Sequence, residues 1–200
     1  MMTELSEPEL KGFLGKKISD TYGRKLGTII GVTLNDFGEM QSLELEKGNN
    51  ELQRLSVDQI SMDRDKIIAV SKWKIQIESL LKEMDSAQRR LVALSDLLKR
   101  KEIPKNLYDE LTQKHEEAIK NLKSKKNTAM EIIQNREKEL DRQIEDLTKI
   151  LIELKAGKWS EEFSSKVYEV ASNSIEPNLE YVAKEKRDLA DHISELTKLF

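Results

Sequence analysis

Side-chain catalysis needs two or more reactive groups that a fold can bring to one place, and this sequence offers few. Its two histidines, His115 and His192, lie far apart, each inside a helical pattern. His115 falls on an apolar stripe, where a structural polar residue is the plain reading. No cysteine or second histidine stands at a metal-ligand spacing from it. Glu116-Glu117 and Glu161-Glu162 are adjacent carboxylates, but successive helical residues project in different directions, so both pairs read as surface charge. Gly23-Arg24-Lys25-Leu26-Gly27 has the glycines of a phosphate loop. It lacks the loop's spacing, its closing Lys-Ser/Thr pair and a following helix, so a β-turn is expected. The chain contains no cysteine, which removes disulfides, thiolate metal sites and cysteine nucleophiles together. The expectation is a protein that is not an enzyme, with no catalytic residue, metal or cofactor.

Two further sets are suited to binding. Lys120, Lys123, Lys125 and Lys126, with Lys114 nearby, form the densest basic cluster. They are candidates for contact with DNA phosphates or anionic lipid headgroups, salt-sensitive and blind to base sequence. A solvated helix face beside Glu116 and Glu117 is the plainer alternative. Trp159, Phe163, Val167 and Tyr168 are the most aromatic part of the helical region. Core packing where the last helices fold back is expected there, with docking of a partner helix or a membrane surface as the sharper reading.

These groups must be carried by two kinds of element. Charged residues are 36% of the chain and aromatics 5%, which leaves little material for a large core. Seven of the eight glycines lie between Gly12 and Gly48, where turns must be frequent. The net charge of -3 with both signs interspersed suits solvated helices. From Phe13 to Val70 apolar residues recur with a period of two. Leu26, Thr28, Ile30, Val32 and Leu34 share one face of the best strand, and Gly27 and Gly31 suit the bends of a small barrel. The fold class read from this is α+β: residues 1–9 flexible, an all-β barrel over 10–72, then helices.

After Val70 the period becomes helical. Trp73, Ile77, Leu80, Met84, Ala87, Leu91, Leu94 and Leu98 occupy alternating heptad positions with polar residues between them. Coiled-coil helices are expected over 73–155, with a turn near 101–105 at Pro104. The second helix carries one seam through Leu111, His115, Ala118 and Leu122. Another runs through Ile133, Leu140, Ile144, Leu147, Leu151 and Leu154, with a change of phase expected near 124–130. Gly157 is expected to cap this helix and Ser160 to start the next. Within the helical segment 156–200 a break is expected at Asn173 to Pro177, followed by a last helix carrying Val182, Leu189, Ile193, Leu196 and Phe200. A helix of about fifty residues spans roughly 75 Å, more than a small barrel can cover. At least a homodimer, extending into a filament, is therefore expected through the seam. Apolar runs such as Ile150-Leu151-Ile152 are too short to span a bilayer, so membrane contact would be peripheral.

Phe13-Leu14-Gly15-Lys16-Lys17-Ile18, Asp20 to Val32 and the later Leu55-Ser56-Val57-Asp58-Gln59-Ile60 resemble the PRC-barrel domain over about residues 10–72. Joined to a long charged coiled coil, the chain resembles the CdvA family of archaeal cell-division proteins. That resemblance implies a cytoplasmic, cytoskeleton-like polymer, peripheral at the division-site membrane, which associates with membrane and non-specifically with DNA and helps recruit ESCRT-III-like proteins. Some members end in a tail that adds a strand to an ESCRT-III partner. Here the last helical pattern runs to Phe200 without a proline-rich linker, so no docking peptide is carried over. The alternative is an RNA- or ribosome-associated PRC-barrel module with a coiled-coil dimerisation rod. That reading requires a basic barrel surface, whereas the first 72 residues hold slightly more acids than bases.

Overall fold

Among the described residues of a computed structural model, which are 12–48, 50–63 and 66–199, six strands precede the helices. The segment 1–9 and Phe200 lie outside the described residues. The strands are β1 (Lys17–Asp20), β2 (Lys25–Leu34), β3 (Met40–Glu46), β4 (Leu52–Ser56), β5 (Ile60–Asp63) and β6 (Lys66–Ala69), with a 3-10 turn at Val57–Gln59. They form one sheet in the order β4-β3-β2-β1-β6-β5. Neighbours pair antiparallel except β1 and β6, which run parallel with Ser19 opposite Ile68. Ile18, Ile29, Leu43, Leu45, Leu55, Ile60, Ile67 and Ala69 meet with Phe13 in a single core. Every strand contributes to it, so the sheet must curl around its own apolar face. Each large aliphatic side chain buried this way contributes about 1.5–3 kcal/mol.

The strict alternation expected along β2 does not hold. Register shifts flank Ile29, one in the β1 ladder and one between Ile29 and Gly31 in the β3 ladder. Each adds a residue to one strand and rotates the side chains that follow. Ile29 is therefore buried and Ile30 exposed, while Leu26 and Val32 still pack on the core. Gly27 permits the bend: a Cβ there would sit 2.3 Å from the Glu46 carbonyl oxygen. The Gly23 to Gly27 segment begins with a turn in which the Gly23 N–H donates to the Asp20 carbonyl at 3.1 Å.

Three long helices follow, α1 (Lys72–Lys99), α2 (Lys105–Trp159) and α3 (Ser165–Lys198), which completes the α+β architecture. The first two end in the same way. Lys101 and Glu161 adopt left-handed backbone conformations at φ 58 and 63. At each end the N–H of that residue and the N–H of the one after it reach back to helical carbonyls: Lys101 to Leu98 and Glu102 to Leu97, then Glu161 to Lys158 and Glu162 to Gly157. This is the Schellman arrangement, which satisfies carbonyls the helix leaves open.

Three expected helix boundaries are corrected. Gly157 lies inside α2, where a Cβ would meet the Phe163 ring at 2.4 Å; its smallness serves packing, and Glu161 takes the capping conformation. The third helix begins at Ser165, with the Ser164 hydroxyl accepting from the Val167 N–H at 3.3 Å, and not at Ser160. Pro177 does not break it. Proline removes one N–H from the ladder, but Asn173, whose carbonyl loses that partner, is exposed to water. The Asn178 side-chain amide donates to the Ser174 carbonyl at 2.8 Å in the same turn.

The chain divides into two compact units. One holds the described residues up to Ile75 with Gln143–Glu185, that is, the sheet, the first residues of α1 and the α2–α3 hairpin. The other holds Gln76–Arg142 with the described residues from Lys186, where all three helices meet.

Candidate assembly surface

The α1 stripe is deeply covered at one end and open at the other. Trp73, Ile77, Leu80 and Met84 are buried, whereas Leu91, Leu94 and Leu98 are half-buried. Along α2 the buried side chains are Ile119, Leu122, Ala129, Ile133 and Leu140. With the half-buried Thr112, His115, Lys126 and Arg136 they keep one heptad phase from 112 to 140. Ile119 therefore occupies the seam in place of Ala118, which is exposed, and no phase change occurs near 124–130. The change comes later. Beyond Leu140 the half-buried residues are Ile144, Leu147, Leu151 and Leu154, so two steps of four follow one another at Leu140. An extra four residues in a heptad pattern locally relax the supercoil, and the division between the two units falls beside this point, at Gln143.

In the three-helix unit polar contacts fix the helix directions. Lys125 Nζ donates to Glu83 Oε2 at 2.9 Å, Lys126 Nζ to the Leu199 carbonyl at 2.7 Å, and Lys186 to Asp141. The Asp141 carboxylate holds the Lys186 ammonium above the usual lysine range. The two pairs between α2 and the α3 end, Lys126 with Leu199 and Asp141 with Lys186, run in opposite order and so set these helices antiparallel. His192 is buried in the α3 stripe, 3.3 Å from Asp188 Oδ1 and 3.9 Å from Glu78 Oε1.

The four candidate lysines do not form one surface. Lys120 and Lys123 are exposed and share a helix face, while Lys125 projects elsewhere and Lys126 is half-buried in the seam. The structure instead gathers Lys82 and Arg90 of α1 with Lys125 and His115 of α2 along an open groove of about 550 Å³.

In the unit that contains the sheet, Glu185 of α3 is fully buried. Its Oε1 accepts from the Trp73 indole N–H at 3.2 Å, and its Oε2 accepts from Arg24 Nη1. Arg24 is itself held by Asp20, whose Oδ1 accepts from the Tyr22 and Arg24 backbone N–H groups at 2.9 and 2.8 Å. The Tyr181 ring lies against Gly23, 3.1 Å from where a Cβ would be. A β-turn, the first turn of α1 and the middle of α3 are joined at this one carboxylate.

The far end of the hairpin is different. Trp159 is 88% exposed, with Phe163, Val167 and Val170 exposed beside it in sequence. Core packing, the expected role of Trp159, is not what the structure shows. Lys158 lies over the Tyr168 ring at 4.4 Å. Among the described residues no helix is long and apolar enough to cross a membrane.

The helical region that follows the sheet matches a known family model. The model for the CdvA-like coiled-coil domain aligns with residues 72–200. The chain belongs to the CdvA-like coiled-coil family. The match starts at Lys72, the first residue of α1. Cell division protein A of Sulfolobus acidocaldarius is 25% identical over 190 residues, a span that takes in 95% of this chain and 79% of that protein. The similarity to that relative therefore extends beyond the CdvA-like region into the β domain.

Within the CdvA-like region sequence reasoning missed the polar members of the α3 stripe. Val182, Glu185, Leu189, His192 and Leu196 step by three and four. That spacing alone places Glu185 and His192 among the buried apolar residues. Reading only the apolar positions hid them.

Proposed function

We propose that this CdvA-like chain is a non-enzymatic, polymerising scaffold of cell division. The observation that carries the reading is the incomplete cover of its seam: Leu91, Leu94 and Leu98 of α1 and Ile144, Leu147 and Leu151 of α2 stay half-buried in the single chain. Apolar seam positions of this kind are covered when a second copy packs against them. Trp73, Ile77, Leu80, Met84 and Leu140 already have cover within the chain, so they hold its own helices together, and the half-buried residues on each helix are the self-association positions. Family membership and similarity to a protein named for cell division support the biological setting.

The scaffold works at the division-site membrane, where it helps recruit ESCRT-III-like proteins and meets DNA without sequence preference. Lys120 and Lys123, together with Lys82 and Arg90 of the groove, supply the cationic contact with phosphate groups. Electron microscopy of the pure chain, alone and with DNA or anionic liposomes, tests both levels. Polymers are expected in the pure protein, with salt-sensitive decoration of DNA or vesicles. A monomer under every condition defeats the scaffold reading. Polymers that ignore both additives leave the scaffold and remove the phosphate contact.

A further inference from the structure

A seam contact that pairs the same surface of two copies closes on itself as a dimer, so a polymer built on such dimers needs a second interface. We infer that the end of the α2–α3 hairpin is the second interface, and that its occupant is the same surface of another copy. The inference rests on the scaffold reading above and names a contact which that reading leaves open.

Ile152, Ala156 and Trp159 recur at helical spacing along α2, and all three are exposed, Ile152 by 60%. They lie on the side of α2 away from Leu147, Leu151 and Leu154, so the hairpin's own packing does not use them. Across the turn Phe163, Val167 and Val170 repeat the pattern, with Val170 67% exposed. A tryptophan left this open beside five further apolar residues is the composition of an interface centre.

Charge selects the occupant. From Ile152 to Trp159, α2 carries Glu153, Lys155 and Lys158, a surplus of one base. From Ser160 to Val170 the turn and α3 carry Glu161, Glu162, Lys166 and Glu169, a surplus of two acids. The two arms thus differ in sign. A two-fold pairing lays each α2 arm on the partner's α3 arm and makes the same favourable contact twice. An anionic lipid surface fits less well, because the tip as a whole holds four acids and three bases.

The test uses the full chain. Trp159→Ser is expected to stop assembly at the seam-paired species and to require at least about tenfold higher concentration for polymers, with helix content by circular dichroism unchanged. Lys155→Glu with Lys158→Glu, and separately Glu162→Lys with Glu169→Lys, are each expected to weaken assembly, and mixing the two variants is expected to restore it. Subtracting the fluorescence of Trp159→Phe from wild type isolates Trp159, whose emission should shift to the blue as assembly proceeds. Polymers in which Trp159 stays water-exposed overturn the tip contact and leave the scaffold standing. A blue shift that appears only when anionic phosphatidylserine vesicles are added assigns the tip to lipid and overturns it as well. A wild-type chain that never associates brings down both readings together.

Discussion

Burying a carboxyl group completely costs several kcal/mol unless its oxygens are well partnered. Glu185 is retained at zero exposure because Trp73 and Arg24 occupy one oxygen each. Removing it leaves an indole N–H and a largely covered guanidinium without that acceptor. Glu185→Ala is therefore expected to destabilise the chain by about 3 kcal/mol, the lower end of the range for breaking a buried pair, since Arg24 keeps Asp20 and some solvent. Urea unfolding gives the number. Replacing both partners with apolar residues, Arg24→Met with Glu185→Leu, is expected to cost less than Glu185→Ala alone. A double variant as unstable as the sum of the two single changes would show that the pair is not coupled.

At the level of elements the two helix ends are the places where the backbone works against its side chains. Left-handed backbone is costly for any residue with a Cβ, yet Lys101 and Glu161 both adopt it. Lys101→Gly and Glu161→Gly are each expected to stabilise by about 1 kcal/mol, raising Tm by about 2–4 °C for a chain of this size. Thermal melting followed by circular dichroism checks this, and a fall in Tm would mean that side-chain contacts at these turns outweigh the strain. The same ends show what the sequence can and cannot convey. The β-to-helix transition at Val70 and the α1 stripe were legible, because they depend on spacing that every residue in the segment repeats. Gly157 and Pro177 misled, because their meaning is tertiary: one is a seat for the Phe163 ring, the other is tolerated where its orphan carbonyl faces water. Ala118 was read for Ile119 because two adjacent apolar residues fit different phases equally well, and only the packed helices choose between them. The candidate surface was half legible for the same reason. Its apolar members announce themselves and Glu185 follows from their spacing, whereas the groove beside Lys82 depends on which helices come together.

For the whole molecule the decisive quantity is how much seam the chain covers by itself. Leu94→Asp places a charge where the single chain is only half-covered, so its cost to the monomer should be small and its cost to association large. Wild-type Tm is expected to rise with protein concentration, because self-association stabilises by mass action, and the Leu94→Asp Tm is expected to be flat. Light scattering across the same range should report a lower mass for the variant. Equal masses would place the contact elsewhere. The pairing of Arg24 with Glu185 reaches across 161 positions of sequence, and this has a consequence in time. At about 5–20 residues per second of synthesis, Arg24 is made roughly ten seconds or more before its partner exists. Trp73 also precedes that partner, by 112 positions. For that interval the β-turn and the start of α1 must be held by other contacts. Closing the pair is therefore a late event in each molecule's life, completed only after most of α3 has been made.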